Sequence, residues 1–253
     1  MRQEIMMTTT STRTVLRITG KDREDFLQGL VSNDVKKLAD GIVYAALLTP
    51  QGKYLADFFL VPDDDAILVD VSSDIAPSLA QRLAMYKLRA DVAIEATDIT
   101  PARGLGTPSE GAYADPRHPA LGWRGYDGRP GEAGVNWDAI RVAHCIPETG
   151  IELTSDSYLL EAGFERLSGV DFRKGCYVGQ EVTARMKHKT ELKKGFATVD
   201  VIGDAPVATP ITRDGKPVGM LFTQSDGKAI AYLRFDRAGT GMIAGGASVS
   251  WDG

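Results

Sequence analysis

Soft-metal and nucleophilic groups are scarce: the 253 residues include two cysteines, Cys145 and Cys176, and three histidines. Neither cysteine belongs to a C-x-x-C pair or a close Cys/His cluster, which leaves no zinc-type spacing and fits a reducing compartment. His118 and His188 stand apart from His144-Cys145, and adjacent residues on a helix diverge by about 100°, so no metal site is expected. Long apolar runs are missing too. None approaches the roughly 20 residues that span a bilayer, and no membrane partner is expected. Nor is positive charge in excess: 29 Lys and Arg stand against 34 Asp and Glu, for a net charge of −5. Such a field gives nucleic acid no general attraction, and direct binding to it is not expected. Nucleotide-binding fingerprints of the G-x-G-x-x-G and G-x-x-x-x-G-K-[ST] kinds are absent. Met1 to Thr12 lacks the apolar core of a secretory signal; it reads as a disordered lead-in, and the protein as cytoplasmic.

What is present suits a folded chain of one large or two modest domains, 43% hydrophobic and 25% charged. A short strand at Val15 to Ile18 precedes a helix over Lys21 to Val31, where Phe26, Leu27, Leu30 and Val31 share a face and acidic residues sit in the first turn. Ser32-Asn33-Asp34 breaks it as a turn. Ile42 to Leu48 and Tyr54 to Val61 read as a hairpin around Thr49-Pro50-Gln51-Gly52-Lys53. Asp57 lies inside the second strand, and the pattern leaves solvent and a cavity as equal destinations for its carboxylate. A strand at Ala66 to Val71, a helix over Ala76 to Leu88 with Pro77 in its first turn, and a strand at Val92 to Glu95 complete a β-α-β-β-β-α-β order. That order argues α+β over a doubly wound sheet.

From Pro101 to Gly134 the composition turns to Gly, Pro, Ala and Arg, and reads as a long loop. Trp123 within it packs in a core or lines a pocket. A helix is expected over Trp137 to Cys145 and another over Glu181 to Lys187, followed by a basic cluster at Lys187-His188-Lys189 and Lys193-Lys194 suited to a polyanionic tail. Strands at Phe196 to Val201, Pro217 to Thr223, Lys228 to Phe235 and Ala247 to Trp251 suggest a small antiparallel barrel.

The densest chemistry lies in Lys174-Gly175-Cys176-Tyr177-Val178-Gly179-Gln180-Glu181. A cation two residues from Cys176 favours thiolate, while a buried, inert thiol is the competing reading. This octapeptide resembles the K-G-C-[FY]-x-G-Q-E signature of the YgfZ family, folate-binding relatives of the glycine-cleavage T-protein that assist iron-sulfur enzyme maturation. Phe26-Leu27-Gln28-Gly29, Ser32-Asn33-Asp34, Leu48-Thr49-Pro50-Gln51-Gly52, Asp115-Pro116-Arg117, Leu121-Gly122-Trp123-Arg124 and Gly169-Val170-Asp171-Phe172 extend the likeness over nearly the whole chain from Val15.

The resemblance implies a T-protein-like folate-binding body over 13–192, with mixed or antiparallel sheets, and a C-terminal antiparallel β-barrel over 193–253. It implies a tetrahydrofolate channel with Cys176 near it, no intrinsic metal, and iron-sulfur assembly proteins or client enzymes as partners. Cys176 and Lys174 become the candidate functional groups; Gln180, Glu181, Asp57 and Trp123 become folate-pocket candidates, with the lysines at 187–194 meeting a glutamate tail. The alternative is a one-carbon transferase of the aminomethyltransferase or demethylase type. T-proteins carry adjacent aspartates where this chain has Ala56-Asp57; if the first of the pair faces the channel, Asp57 cannot replace it and no aminomethyl transfer is expected.

Overall fold

Residues 12–188 and 191–253 are described by the computed structural model. Most of the expected lead-in, and Lys189-Thr190 in the basic cluster, lie outside the described residues. Five antiparallel strands form the first sheet: β1 (Arg13–Thr19), β2 (Val43–Leu48), β3 (Tyr54–Asp63), β4 (Ala66–Ser72) and β5 (Ala93–Ala96), in the order β2-β3-β4-β1-β5. Side chains alternate between two cores. Val43, Ala45 and Leu47 of β2 meet Ala56, Phe58 and Leu60 of β3 on the side covered by α1 (Arg23–Gln28) and α2 (Ala76–Lys87). Tyr44, Ala46, Leu48, Phe59 and Val61 enter the opposite core with Leu153, Leu159 and Phe164. Cover on both faces explains why all six β2 residues are buried.

α1 is shorter than expected, because the chain leaves the helix at Gly29 and Val31 bridges to Leu47. The Gly- and Pro-rich middle, read as a loop, holds a second sheet of β6 (Ala102–Gly104), β7 (Ala112–Ala114) and β8 (Trp123–Gly125) in the order β6-β8-β7. Three-residue strands are too short for their alternation to show in sequence. α3 (Trp137–Ala143) follows, capped by the Asn136 side chain on Ala139 N at 3.0 Å.

The signature segment is held by the other motifs. Ser32 Oγ donates to Gly169 O at 2.6 Å, Asn33 Nδ2 to Ser168 O at 2.7 Å, and Lys37 pairs with Asp171 at 2.7 Å. Gly179, with φ +83°, stands so close to the hairpin turn that a Cβ would lie 2.6 Å from Thr49 O. Gly52 of that turn lies 3.3 Å, measured from its own would-be Cβ, from Gly179 O. Two distant glycine motifs thus form one close packing contact, from which α4 (Gln180–His188) starts. Beyond it, β9 (Lys194–Ile202), β10 (Thr209–Arg213), β11 (Lys216–Ser225), β12 (Lys228–Arg234), β13 (Met242–Ala244) and β14 (Ala247–Ser250) close a barrel in the order β10-β11-β12-β9-β14-β13 around Ile211, Leu221, Leu233 and Val249. The short strands β10 and β13 had no sequence signal of their own.

Candidate functional site

The strand pleat places Arg13, Asp57, Phe59 and Asp70 on one face of the five-stranded sheet, opposite the helices. Phe59 forms an apolar floor there, with the guanidinium carbons of Arg124, Arg117 and Arg13 at 3.8, 4.9 and 5.5 Å from its ring centroid. Arg124 and Arg117 come from the middle segment, so the small sheet roofs the large one. Between them lies a cavity of about 410 Å³, lined by Arg13, Asp57, Arg103, Arg117, Leu121, Arg124, Arg141, Glu148 and Thr149 among others.

Most of its charge is neutralised in place. Asp70, fully buried, accepts from Arg13 Nε at 2.6 Å, Arg124 Nη1 at 3.1 Å and the Tyr126 hydroxyl at 2.8 Å. Asp115 accepts from Arg117 Nη2 at 2.8 Å and Arg124 Nε at 2.9 Å. Burial alone would raise the Asp115 pKa, but the two guanidinium groups override it and hold the carboxyl well below the usual range. Arg141 of α3 pairs with Glu148 at 3.1 Å and Glu152 at 3.0 Å, and its third nitrogen reaches Thr223 of β11 at 3.0 Å, fastening the barrel to the cavity wall.

Two charges differ. Asp57 has no ion pair among the described residues; it accepts from the Tyr44 hydroxyl at 2.8 Å, the Tyr54 hydroxyl at 2.6 Å and the Thr149 hydroxyl. Burial and then Asp57 push both tyrosines well above their ordinary pKa, keeping them as donors. Oδ1 takes two of these hydroxyl donors and Oδ2 one. Arg103 of β6 is the other charge. Its guanidinium lies 4.1 Å from the Trp137 ring centroid, where the inner cavity meets an outer groove of about 1270 Å³.

The pleat argument against Asp57 is corrected: Ala56 packs into the helix-side core, and Asp57 is the member that faces the cavity. Other sequence candidates lie elsewhere. Trp123 packs on Gly104, whose missing Cβ leaves room for the indole, with Arg129 over its ring at 5.7 Å. Gln180 and Glu181 open α4, with Glu181 exposed, and neither lines the cavity. Lys187 pairs with Glu165 at 2.5 Å, and none of the described lysines of 187–194 lines the cavity.

Cys176 is exposed. Lys174 does not serve it: its ammonium donates to Gln28 O at 2.7 Å, at the end of α1, and to Val31 O at 2.6 Å, just beyond it. Burial pushes this lysine down to about 8, against the influence of Asp34 and Asp171. The buried reading of Cys176 does not hold; Cys145 is the half-buried thiol, and burial pushes it up to about 11. Sequence reasoning missed Arg13, Arg103 and Arg141 as cavity residues. Arg117 and Arg124 stood within motifs already noted, next to the candidate that packs elsewhere.

Residues 193–252 match the family model described as "CAF17, C-terminal beta-barrel domain". A relative from Mycosarcoma maydis, an "Iron-sulfur cluster assembly factor IBA57 homolog, mitochondrial", is 34% identical over 72% of this chain and 54% of its own length. The Homo sapiens "Iron-sulfur cluster assembly factor IBA57, mitochondrial" is 30% identical over 87% of this chain and 75% of its own length. The chain spans about half the length of the first relatives it matches. Among solved structures, a glycine cleavage system aminomethyltransferase T from Bartonella henselae superposes with a TM-score of 0.72 at 13% identity, covering 95% of this chain and 83% of that one. The fold is therefore T-protein-like: α+β, with antiparallel sheets and a closed six-stranded barrel. Two expectations change. Relatives named as mitochondrial overturn the cytoplasmic placement, and these relatives carry the IBA57 name where the signature had suggested YgfZ.

Proposed function

The chain belongs to the family of the iron-sulfur cluster assembly factor IBA57, and from that membership we propose that it serves iron-sulfur cluster assembly or repair, as a YgfZ-related protein that binds a reduced folate and presents Cys176 to a partner. The observation that carries the folate half is the pair of cavity charges that form no ion pair among the described residues. Asp57 can accept from the amino-pyrimidine edge of a pterin, and Arg103 can meet an acidic tail. Supporting the other half, Cys176 lies exposed on a loop whose neighbours are committed to holding it in place. One thiol cannot supply the four-cysteine ligation common in clusters, so a cluster bound there takes its remaining ligands from the partner assembly protein or client. In a strain lacking this protein, Cys176→Ser fails to restore iron-sulfur enzyme activity while Cys145→Ser restores most of it. Equal rescue by the two variants removes the special role of Cys176.

A second reading, one-carbon transfer of the aminomethyltransferase or demethylase kind, is favoured by one specific observation. Asp57 faces the cavity, where a carboxylate can stabilise positive charge developing on a folate nitrogen. Folate-dependent turnover by the unmodified protein that disappears in Asp57→Asn promotes this reading over the first.

A further inference from the structure

Every other arginine on the wall of the inner cavity has a carboxylate partner: Arg13 has Asp70, Arg117 has Asp115, Arg124 has both, and Arg141 has Glu148 and Glu152. Arg103 has neither an ion pair nor a side-chain hydrogen bond among the described residues. Burial is the main cause that lowers its pKa to about 10, and Arg124, Arg117 and Arg13 add to it, opposed by Glu148. Glu148 is already bound by Arg141 at 3.1 Å. A partly desolvated cation among like charges is costly when unpaired. The cation–π contact with Trp137 recovers part of that cost, and the guanidinium N–H groups keep no hydrogen-bond partner among the described residues. The position is also particular: Thr100 to Arg103 border both the inner cavity and the outer groove.

We propose that Arg103, seated over the Trp137 ring, is the carboxylate subsite of this cavity, fixing the acidic end of a ligand whose hydrogen-bond-donating end reaches Asp57. The inference rests on the folate reading for the identity of the whole ligand. It replaces the lysines of 187–194 as the group that meets an acidic tail. A guanidinium fork matches a carboxylate in two parallel hydrogen bonds, and its planar, pre-organised donors lose less entropy for each bond formed.

The test uses the full chain, wild type and Arg103→Gln, titrated with three probes: tetrahydrofolate, 6-methyltetrahydropterin (which lacks the acidic tail) and p-aminobenzoylglutamate (which lacks the pterin). Arg103→Gln weakens tetrahydrofolate by about tenfold or more, as expected for loss of a charge-assisted pair, and leaves 6-methyltetrahydropterin within about twofold. p-Aminobenzoylglutamate quenches tryptophan fluorescence in the wild type, and the quenching is lost in Arg103→Gln and in Trp137→Phe. The ligand-free Arg103→Gln protein melts at or above the wild-type temperature, because an unpaired cation has been removed. Equal weakening of both pterin probes, no weakening of tetrahydrofolate, or a melt several degrees lower overturns the subsite. If tetrahydrofolate fails to bind the wild type, the folate reading falls. Arg103-dependent quenching by p-aminobenzoylglutamate then still supports the subsite, and its absence overturns that as well.

Discussion

The cavity over Phe59 and the loop around Cys176 hold much of the chemistry in this chain, and they are built in opposite ways. In the cavity, charges are buried in bulk and cancelled pair by pair, so that Asp57 and Arg103 stand out as the two left over. On the loop, Lys174 is spent on two backbone carbonyls and Asp171 on Lys37, while the thiol is left exposed. Unpaired charge in an enclosed space suits a small ligand that supplies the missing partners. An exposed thiol on a braced loop suits another macromolecule. On the proposed function, the two regions divide work that the signature alone concentrated in one place.

The largest effect separating them is on stability. Asp70→Ala leaves Arg13 and Arg124 without a shared buried partner and is expected to cost about 3–5 kcal/mol in denaturant unfolding, whereas Cys176→Ser stays within about 0.5 kcal/mol. Comparable losses in the two variants would mean that the loop is part of the core.

Lys174→Met comes next. It strands two carbonyls, at the end of α1 and just beyond it, and is expected to lower stability by about 1–3 kcal/mol. Labelling of Cys176 by iodoacetamide should nevertheless change by less than about threefold, because the ammonium faces the carbonyls and does not activate the thiol. A larger drop in labelling would return Lys174 to the role that its sequence neighbourhood suggests.

Within the wild type, Cys176 should be alkylated well before Cys145 at pH 8. The Cys145 thiol, pushed up to about 11 by burial, holds almost no thiolate at that pH and gains it only as the solution becomes strongly alkaline. Peptide mapping after limited labelling reads the order directly, and reversed order would make Cys145 the reactive thiol.

The fold was legible where elements were long. β2, β3 and β4 are largely apolar, β-rich runs of six or more residues, and the hairpin turn announces itself with Pro50 and Gly52. The second sheet was not legible, since three residues per strand give no period. At the site, Asp57 was visible as a carboxylate in an apolar strand, but its direction depended on a pleat fixed by the fold. Arg103 carried no sequence signal. An arginine in a glycine-rich stretch looks solvated until the other four arginines of the cavity are found already paired. Lys174 misled for the same reason: proximity in sequence to Cys176 was outweighed by two carbonyls brought to it from the end of α1 and just beyond.

The separation of cavity from loop is tested most directly by one calorimetric series: tetrahydrofolate titrated into the wild type, Cys176→Ser and Asp57→Asn. Equal affinity is predicted for the wild type and Cys176→Ser, with Asp57→Asn weaker by about tenfold or more through loss of a charge-assisted acceptor. No heat from the wild type at millimolar folate, or a Cys176→Ser variant as weak as Asp57→Asn, would contradict it.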